Sequence, residues 1–108
     1  MQINYFVIPG ITVTAAEVSE KAAKAFNLKN DICTRSREWA YVAARQTAMY
    51  YMYRILKMRV IDIARFFNRE HGTVIHLLRE VENRINYEKR FREEGYNCFI
   101  QLLQGRKW

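Results

Sequence analysis

Glu70, His71, Thr73, His76 and Arg79 place a carboxylate, two imidazoles, a hydroxyl and a guanidinium in one short stretch. This is not the inventory of a hydrolase. No serine–histidine–aspartate or cysteine–histidine arrangement can be assembled around these residues. No G-x-x-x-x-G-K-[ST] phosphate loop occurs in a chain with only four glycines. His71 and His76 are five residues apart, about 140° around a helix, so they cannot form the one-faced pair of a zinc site. The groups share hydrogen bonding to base edges and phosphates, which is chemistry of recognition and not of bond cleavage.

The elements that must carry them are two helices separated by a tight turn. Val60-Ile61-Asp62-Ile63-Ala64-Arg65-Phe66-Phe67 is a short apolar helical pattern. Val74, Leu78, Val81 and Ile85, spaced by three and four, define a longer helix over about 70–84. Together they have the form of a helix-turn-helix, whose second helix enters the DNA major groove. At about 100° per residue, Gly72, His76, Arg79 and Asn83 point away from the apolar stripe. Gly72 allows close approach there, and His71 and Thr73 flank the first turn. An amphipathic helix with a solvated polar face fits the same spacing, because periodicity finds helices and not ligands.

The whole chain supports an anionic partner. Its 108 residues make one domain, half of them apolar, and its net charge is +7 with a pI near 9.7; nucleic acid is the leading candidate. A membrane surface fits less well, since the basic residues are spread along the chain and not gathered on one amphipathic helix. No apolar run long enough to span a bilayer exists. The start Met1-Gln2-Ile3-Asn4 lacks the positive region of a signal peptide. Cys33 and Cys98 have no metal-site spacing and are expected as reduced thiols, Cys98 as core filler.

Taken in order, residues 1–13 read as an extended arm. Ile3, Tyr5 and Val7 alternate with Asn4 and Phe6, and Pro9-Gly10 is a turn signal. The arm is a short strand, a cover over the core, or an edge that pairs with a second copy. Thr14-Ala15-Ala16-Glu17 fits a capping box opening a helix with Ala15, Val18, Ala22 and Phe26 on one face. Asn27 to Asp31 ends it, and Ile32 is a lone apolar anchor. Arg35 and Arg37 follow in a loop that would reach a phosphate track or a neighbouring minor groove, or would simply be solvated.

A long central helix is expected from Trp39 or Ala40 to Lys57, with Val42, Ala48, Met49, Met52, Ile55 and Leu56 as its stripe and Arg45 and Gln46 as polar exceptions. A last helix places Tyr87, Phe91, Gly95, Cys98 and Leu102 on one face, with Gly95 marking close packing or a bend. Glu93-Glu94 reads as a solvated pair and 105–108 as a loose basic tail. The fold expected is all-α, about five helices around a central helix-turn-helix, with a short extended N-terminal arm.

Three stretches resemble the C-terminal DNA-binding domain (domain IV) of the bacterial chromosomal replication initiator DnaA. Ala44-Arg45-Gln46-Thr47-Ala48-Met49-Tyr50 is similar to that family's A-R-Q-x-A-M-Y. The segment Val60 to Phe67 is similar to its L-P-E-I-G-x-x-F, and Arg69-Glu70-His71-Gly72-Thr73-Val74-Ile75-His76 to its R-D-H-T-T-V-x-H. The similarity covers about residues 14–104 and implies a TrpR-like fold. It implies Arg37 in the minor groove, Glu70, His71 and Gly72 at base-reading positions, and Arg45 and Gln46 on phosphates. It also implies phosphate contacts from the amides of Val60 and Ile61 and from Thr73 and His76; Arg35, Arg69 and Arg79 join these as cations.

The departures bear on specificity. Asn68 stands where the family often has two glycines, so the turn is one residue shorter. Glu70 replaces an aspartate that accepts from a cytosine amine, Gly72 a threonine that touches a thymine methyl, and Ile61 a proline. The resemblance implies a bacterial or phage protein, cytoplasmic and nucleoid-associated, that binds double-stranded DNA with no cofactor, small-molecule substrate or membrane. Homo-oligomerisation through the arm stays open. A full initiator also carries an ATPase domain that has no counterpart here, so the expectation is origin-box recognition without ATP hydrolysis, by a stand-alone domain or a piece of a longer chain. The alternative is a protein-interaction module or small regulator of transcription or replication, derived from the same fold with base specificity lost or altered.

Overall fold

The computed structural model describes residues 6–8 and 11–103, with side chains over residues 14–102. Strands β1 (Phe6–Ile8) and β2 (Ile11–Val13) pair antiparallel with each other, Val7 opposite Thr12. The turn signal at Pro9-Gly10 and the basic tail at 105–108 lie outside the described residues. Among the described residues five α-helices follow: α1 (Ala15–Ala25), α2 (Trp39–Arg54), α3 (Val60–Phe67), α4 (His71–Tyr87) and α5 (Asn97–Leu103), with a π-helical segment at Phe91–Tyr96 leading into α5. The domain is helical apart from the small hairpin, as expected.

Helix α1 starts where the capping box places it. The Glu17 amide donates to Thr14 Oγ1 at 3.3 Å, meeting one of the orphan donors of the first turn. Val18 and Ala22 are fully buried. The helix ends with Asn27 at φ 58°, whose amide donates to Lys24 O, while Leu28 N donates to Ala23 O. These two bonds make a Schellman cap, with asparagine in the left-handed position. Ile32, the expected anchor, is fully buried.

Helix α2 is buried on nearly every side, with Ala43, Ala44, Thr47, Ala48, Met49 and Met52 all fully enclosed. A helix without a solvent face belongs at the centre, and α1, α3, α4 and the π-helical segment all pack on it. It stops at Arg54, three residues short of the expected Lys57. Lys57 takes φ 62°, and the reversal turns both Leu56 and Met58 into the core. Ile55, expected in the stripe, is consequently left 38% exposed.

Helix α3 buries Ile63, Ala64 and Phe67, and α4 buries Val74 and Val81 against the same core. Asn68 joins them at φ 55°, its amide donating to Arg65 O and the Arg69 amide to Ala64 O. This second Schellman cap makes the sharp turn without a glycine.

Helix α4 runs beyond the weakened pattern at Asn83–Asn86 to Tyr87. Two contacts support the extra turn. Arg84 pairs with Glu88 at 3.0 Å, and Arg92 Nη1 donates to Ile85 O at 2.9 Å, covering a C-terminal carbonyl. Tyr87 therefore belongs to α4 and not to the last helix, and it is 83% exposed rather than on the buried face.

Phe91 and Phe99 are the fully buried aromatic residues of the final segment, and Glu93 and Glu94 are both exposed. Gly95 is buried flat against Phe26: a Cβ there would sit 2.1 Å from the Phe26 ring. Close packing is thus the reason for this glycine. Gly95→Ala should cost about 1–3 kcal/mol, as overpacking of a filled core does. Urea unfolding measures it, and the cost should shrink in a Phe26→Leu background, where the obstructing ring is gone.

Candidate nucleic-acid interface

The interface is assembled from three pieces: the start of α3, the turn and first turns of α4, and the loop at 32–38. At the head of α4, Glu70 is the N-cap residue and makes no side-chain cap bond. Its carbonyl accepts from Val74 N at 3.2 Å. The amides of His71, Gly72 and Thr73 belong to the first turn, which has no intrahelical acceptors to offer them. Glu70, His71, Gly72 and Thr73 are all exposed. A Cβ on Gly72 would meet nothing within 4 Å, so open space and not packing surrounds it. His76, Arg79 and Asn83 continue this exposed face along α4.

At the start of α3, Arg59 is the N-cap residue, again without a side-chain cap bond. Its guanidinium grips Asp62 instead, at 2.9 and 3.3 Å. That hydrogen bond is the main cause holding the Asp62 carboxyl below its usual pKa. The acid beside the helix start is thereby neutralised. Val60 is half-buried and Ile61 is 42% exposed.

The loop at 32–38 is built around a buried guanidinium. Arg45, on α2, is 6% exposed. Its Nη1 donates to Ile32 O at 3.2 Å and Thr34 O at 2.8 Å, and its Nη2 donates to Ser36 O. With the carbonyls of 32, 34 and 36 turned inward, Arg35 and Arg37 stand exposed on the other side. The side chains of these two arginines and of Arg79 make no hydrogen bond or ion pair among the described residues.

Three of the residues expected at phosphates have their side chains engaged within the domain. Arg45 is committed to loop carbonyls. Gln46 is 1% exposed, donates to Glu80 Oε1 at 3.1 Å and accepts from Arg84 Nη1. Arg69 is half-buried and donates to Phe67 O and Thr34 O, both at 2.7 Å. The signal for Arg45 was present in the sequence. An arginine that follows two alanines, on a helix with no acid of its own, must find backbone carbonyls if it is buried.

His76 reaches Glu80 Oε2 at 3.1 Å, so a chain of contacts runs His76–Glu80–Gln46–Arg84–Glu88. Arg84 also lies 4.6 Å over the Phe91 ring, and Arg90 lies 3.9 Å over Trp39. Sequence reasoning missed both stacks, since Arg90 and Trp39 are distant in the chain and Arg84 and Phe91 lie on separate elements.

Cys33 sits inside the loop. Its amide donates to Asp31 Oδ1 at 2.8 Å and its thiol donates to Phe66 O at 3.7 Å. Burial, and then the Asp31 charge, push the thiol up to about 11. Among the described residues no group of three or more histidine, cysteine, aspartate or glutamate side chains could hold a metal ion. Among the described residues no helix is long and apolar enough to cross a membrane.

These elements define a helix-turn-helix domain with a basic loop docked on the turn. The description "Bacterial dnaA protein helix-turn-helix" matches residues 15–81, and the chain belongs to that family. It is 36% identical over 85 residues to the chromosomal replication initiator protein DnaA of Wolbachia sp. subsp. Brugia malayi (strain TRS), covering 77% of this chain and 18% of that protein. The same name is carried by a relative in Wolbachia pipientis wMel, with the same identity and coverage. A third, from Rickettsia canadensis (strain McKiel), is 31% identical over 95 residues, 86% of this chain and 20% of its own length. The chain thus spans about a fifth of the curated relatives it matches.

Two predictions follow from the loop. Arg45→Met should destabilise the fold by about 1–3 kcal/mol for each buried carbonyl left without a donor, read by denaturant unfolding in the absence of any ligand. Cys33, isolated by Cys98→Ser, should alkylate about two orders of magnitude more slowly at neutral pH than a thiol of the ordinary value 9.0, with the rate climbing toward pH 11. The folded value lies above the unfolded one. This thiol therefore adds stability below pH 9 that is lost as pH rises toward 11.

Proposed function

We propose that this chain binds double-stranded DNA in a sequence-specific way, at sites of the replication-initiator type, and that binding itself requires no nucleotide hydrolysis. The observation that carries the reading is the pairing of an uncommitted α4 head with uncommitted arginines on either side of it. Arg35, Arg37 and Arg79 have no carboxylate partner among the described residues, and the protein as a whole carries +7. Cations left free on one side of a basic domain are what a polyanion selects.

In this reading the first turn of α4 enters the major groove. Glu70 accepts from a base amine and His71 donates to or accepts from a base edge, while Gly72 admits the duplex closely. Arg37 inserts into the adjacent minor groove, where the negative potential is strongest when the groove is narrow. The free amides at Val60 and Ile61, the Thr73 hydroxyl, Arg35 and Arg79 hold phosphates and set the register. His76 joins them by exchanging Glu80 for a phosphate. Each phosphate neutralised lowers log K with a slope of about −0.9 against log salt.

The direct test is selection of bound duplexes from a random library at two salt concentrations. An enriched motif that survives the higher salt supports base readout; salt-labile binding without enrichment overturns it. Arg37→Ala and His71→Ala should each weaken binding to the selected site by about 1–3 kcal/mol and change binding to random duplex much less. Equal losses on both duplexes would refute base reading by these residues. Gly72→Thr should fold normally, given the open space there, and should shift the selected motif toward a thymine at the position it faces.

A further inference from the structure

Arg69 lies in the turn, one residue before the head of α4, yet its side chain does not point out toward a ligand. Nη1 donates to Phe67 O, a carbonyl at the C-terminus of α3, at 2.7 Å. Nη2 donates to Thr34 O, in the basic loop, also at 2.7 Å. That loop carbonyl accepts from Arg45 Nη1 as well, at 2.8 Å. One oxygen is therefore held from two directions: Arg45 ties the loop to α2, and Arg69 ties it to the turn. Cys33 Sγ on Phe66 O adds a weaker tie between the same two segments.

We infer that Arg69 is a positioning residue that couples minor-groove reading by Arg37 to major-groove reading at the head of α4. The inference rests on the DNA-binding reading given above. Its physical content is the planar fork of the guanidinium. Two N–H groups in fixed relation lock the α3 terminus to the loop, which a single flexible ammonium cannot reproduce. Glu70 is Arg69's chain neighbour and Arg35 is Thr34's. The Arg69–Thr34 bond thus sets how far the loop arginines stand from the α4 head. Without it, the loop keeps its charge and its Arg45 anchor but loses its distance from the turn.

A double-mutant cycle decides this. Binding to the selected duplex and to random duplex is measured for the parent, Arg37→Ala, Arg69→Lys and Arg37→Ala/Arg69→Lys. Circular dichroism confirms the helical fold of each. The expected result is that Arg37→Ala costs about tenfold or more on the selected duplex in the parent but less than about twofold in the Arg69→Lys background. Random-duplex binding should hardly change with Arg69→Lys, since the charge is kept. Cys33 alkylation should speed up in Arg69→Lys without DNA, because the loop loosens. Independent, multiplying effects of the two substitutions would overturn the coupling, as would full rescue by lysine, which is the signature of a direct phosphate contact. A parent protein that does not discriminate the two duplexes would overturn the DNA reading itself, and the coupling with it.

Discussion

The buried guanidinium of Arg45 is the constraint from which the candidate recognition surface follows. Taking an ion out of water costs several kcal/mol unless it is matched. Arg45 has no acid on its own helix, so the match comes from the carbonyls of Ile32, Thr34 and Ser36. Hydrogen bonds to charged groups return about 1.5–3 kcal/mol each, enough in threes to offset the burial. The alternation of inward carbonyls leaves Arg35 and Arg37 exposed and unpaired. A loop of this composition has no hydrophobic reason to hold one shape. Ile32 pins one end in the core, and the arginine supplies the rest.

Helix faces were legible in the sequence wherever a helix stays regular. Val74 and Val81 are fully buried, and Gly72, His76, Arg79 and Asn83 are all exposed. The Thr14 cap and the packing role of Gly95 were legible too, because each depends on one residue type with one physical use. The wheel failed where the backbone leaves the ideal period. Lys57 reverses the chain in a left-handed conformation, which no periodicity signals. The segment after α4 breaks at Glu88, extended at φ −110° and ψ 100°, so Tyr87 and Phe91 never shared a face. The π-helical turn then adds a residue to the cycle. Phe99, expected to widen that face, is fully buried, while Cys98, expected on it, is only half-buried.

The candidate site was legible in the sequence as a set of residue types, while the contacts those residues make inside the domain were not. Motif position identifies which residues lie near the surface that matters. It does not say whether an arginine faces outward or holds the loop that presents another arginine. Arg45 and Arg69 both hold the loop, and Gln46 is engaged between Glu80 and Arg84; each is distinguished by a partner far away in the chain. Long-range hydrogen bonds leave no local pattern, so this division of labour is visible only in three dimensions.

The shortened turn illustrates how a departure in sequence can be absorbed. A helix end needs a left-handed residue to turn sharply, and glycine is the usual one because it lacks a Cβ. Asparagine is the next best, since its short polar side chain tolerates that region. Asn68 does this at φ 55° and ψ 51°, and its neighbour Arg69 completes the cap through its own amide. The same Arg69 then reaches back with its side chain to Phe67 O and Thr34 O. One residue thus closes α3, leads into α4 and fixes the loop. With a turn this short, little slack remains between α3 and α4, and the loop is held to them by the 2.7 Å bond from Arg69 to Thr34 O as well as by the burial of Ile32. Directional bonds of that kind define a distance as well as a contact, which the two-groove reading proposed above requires.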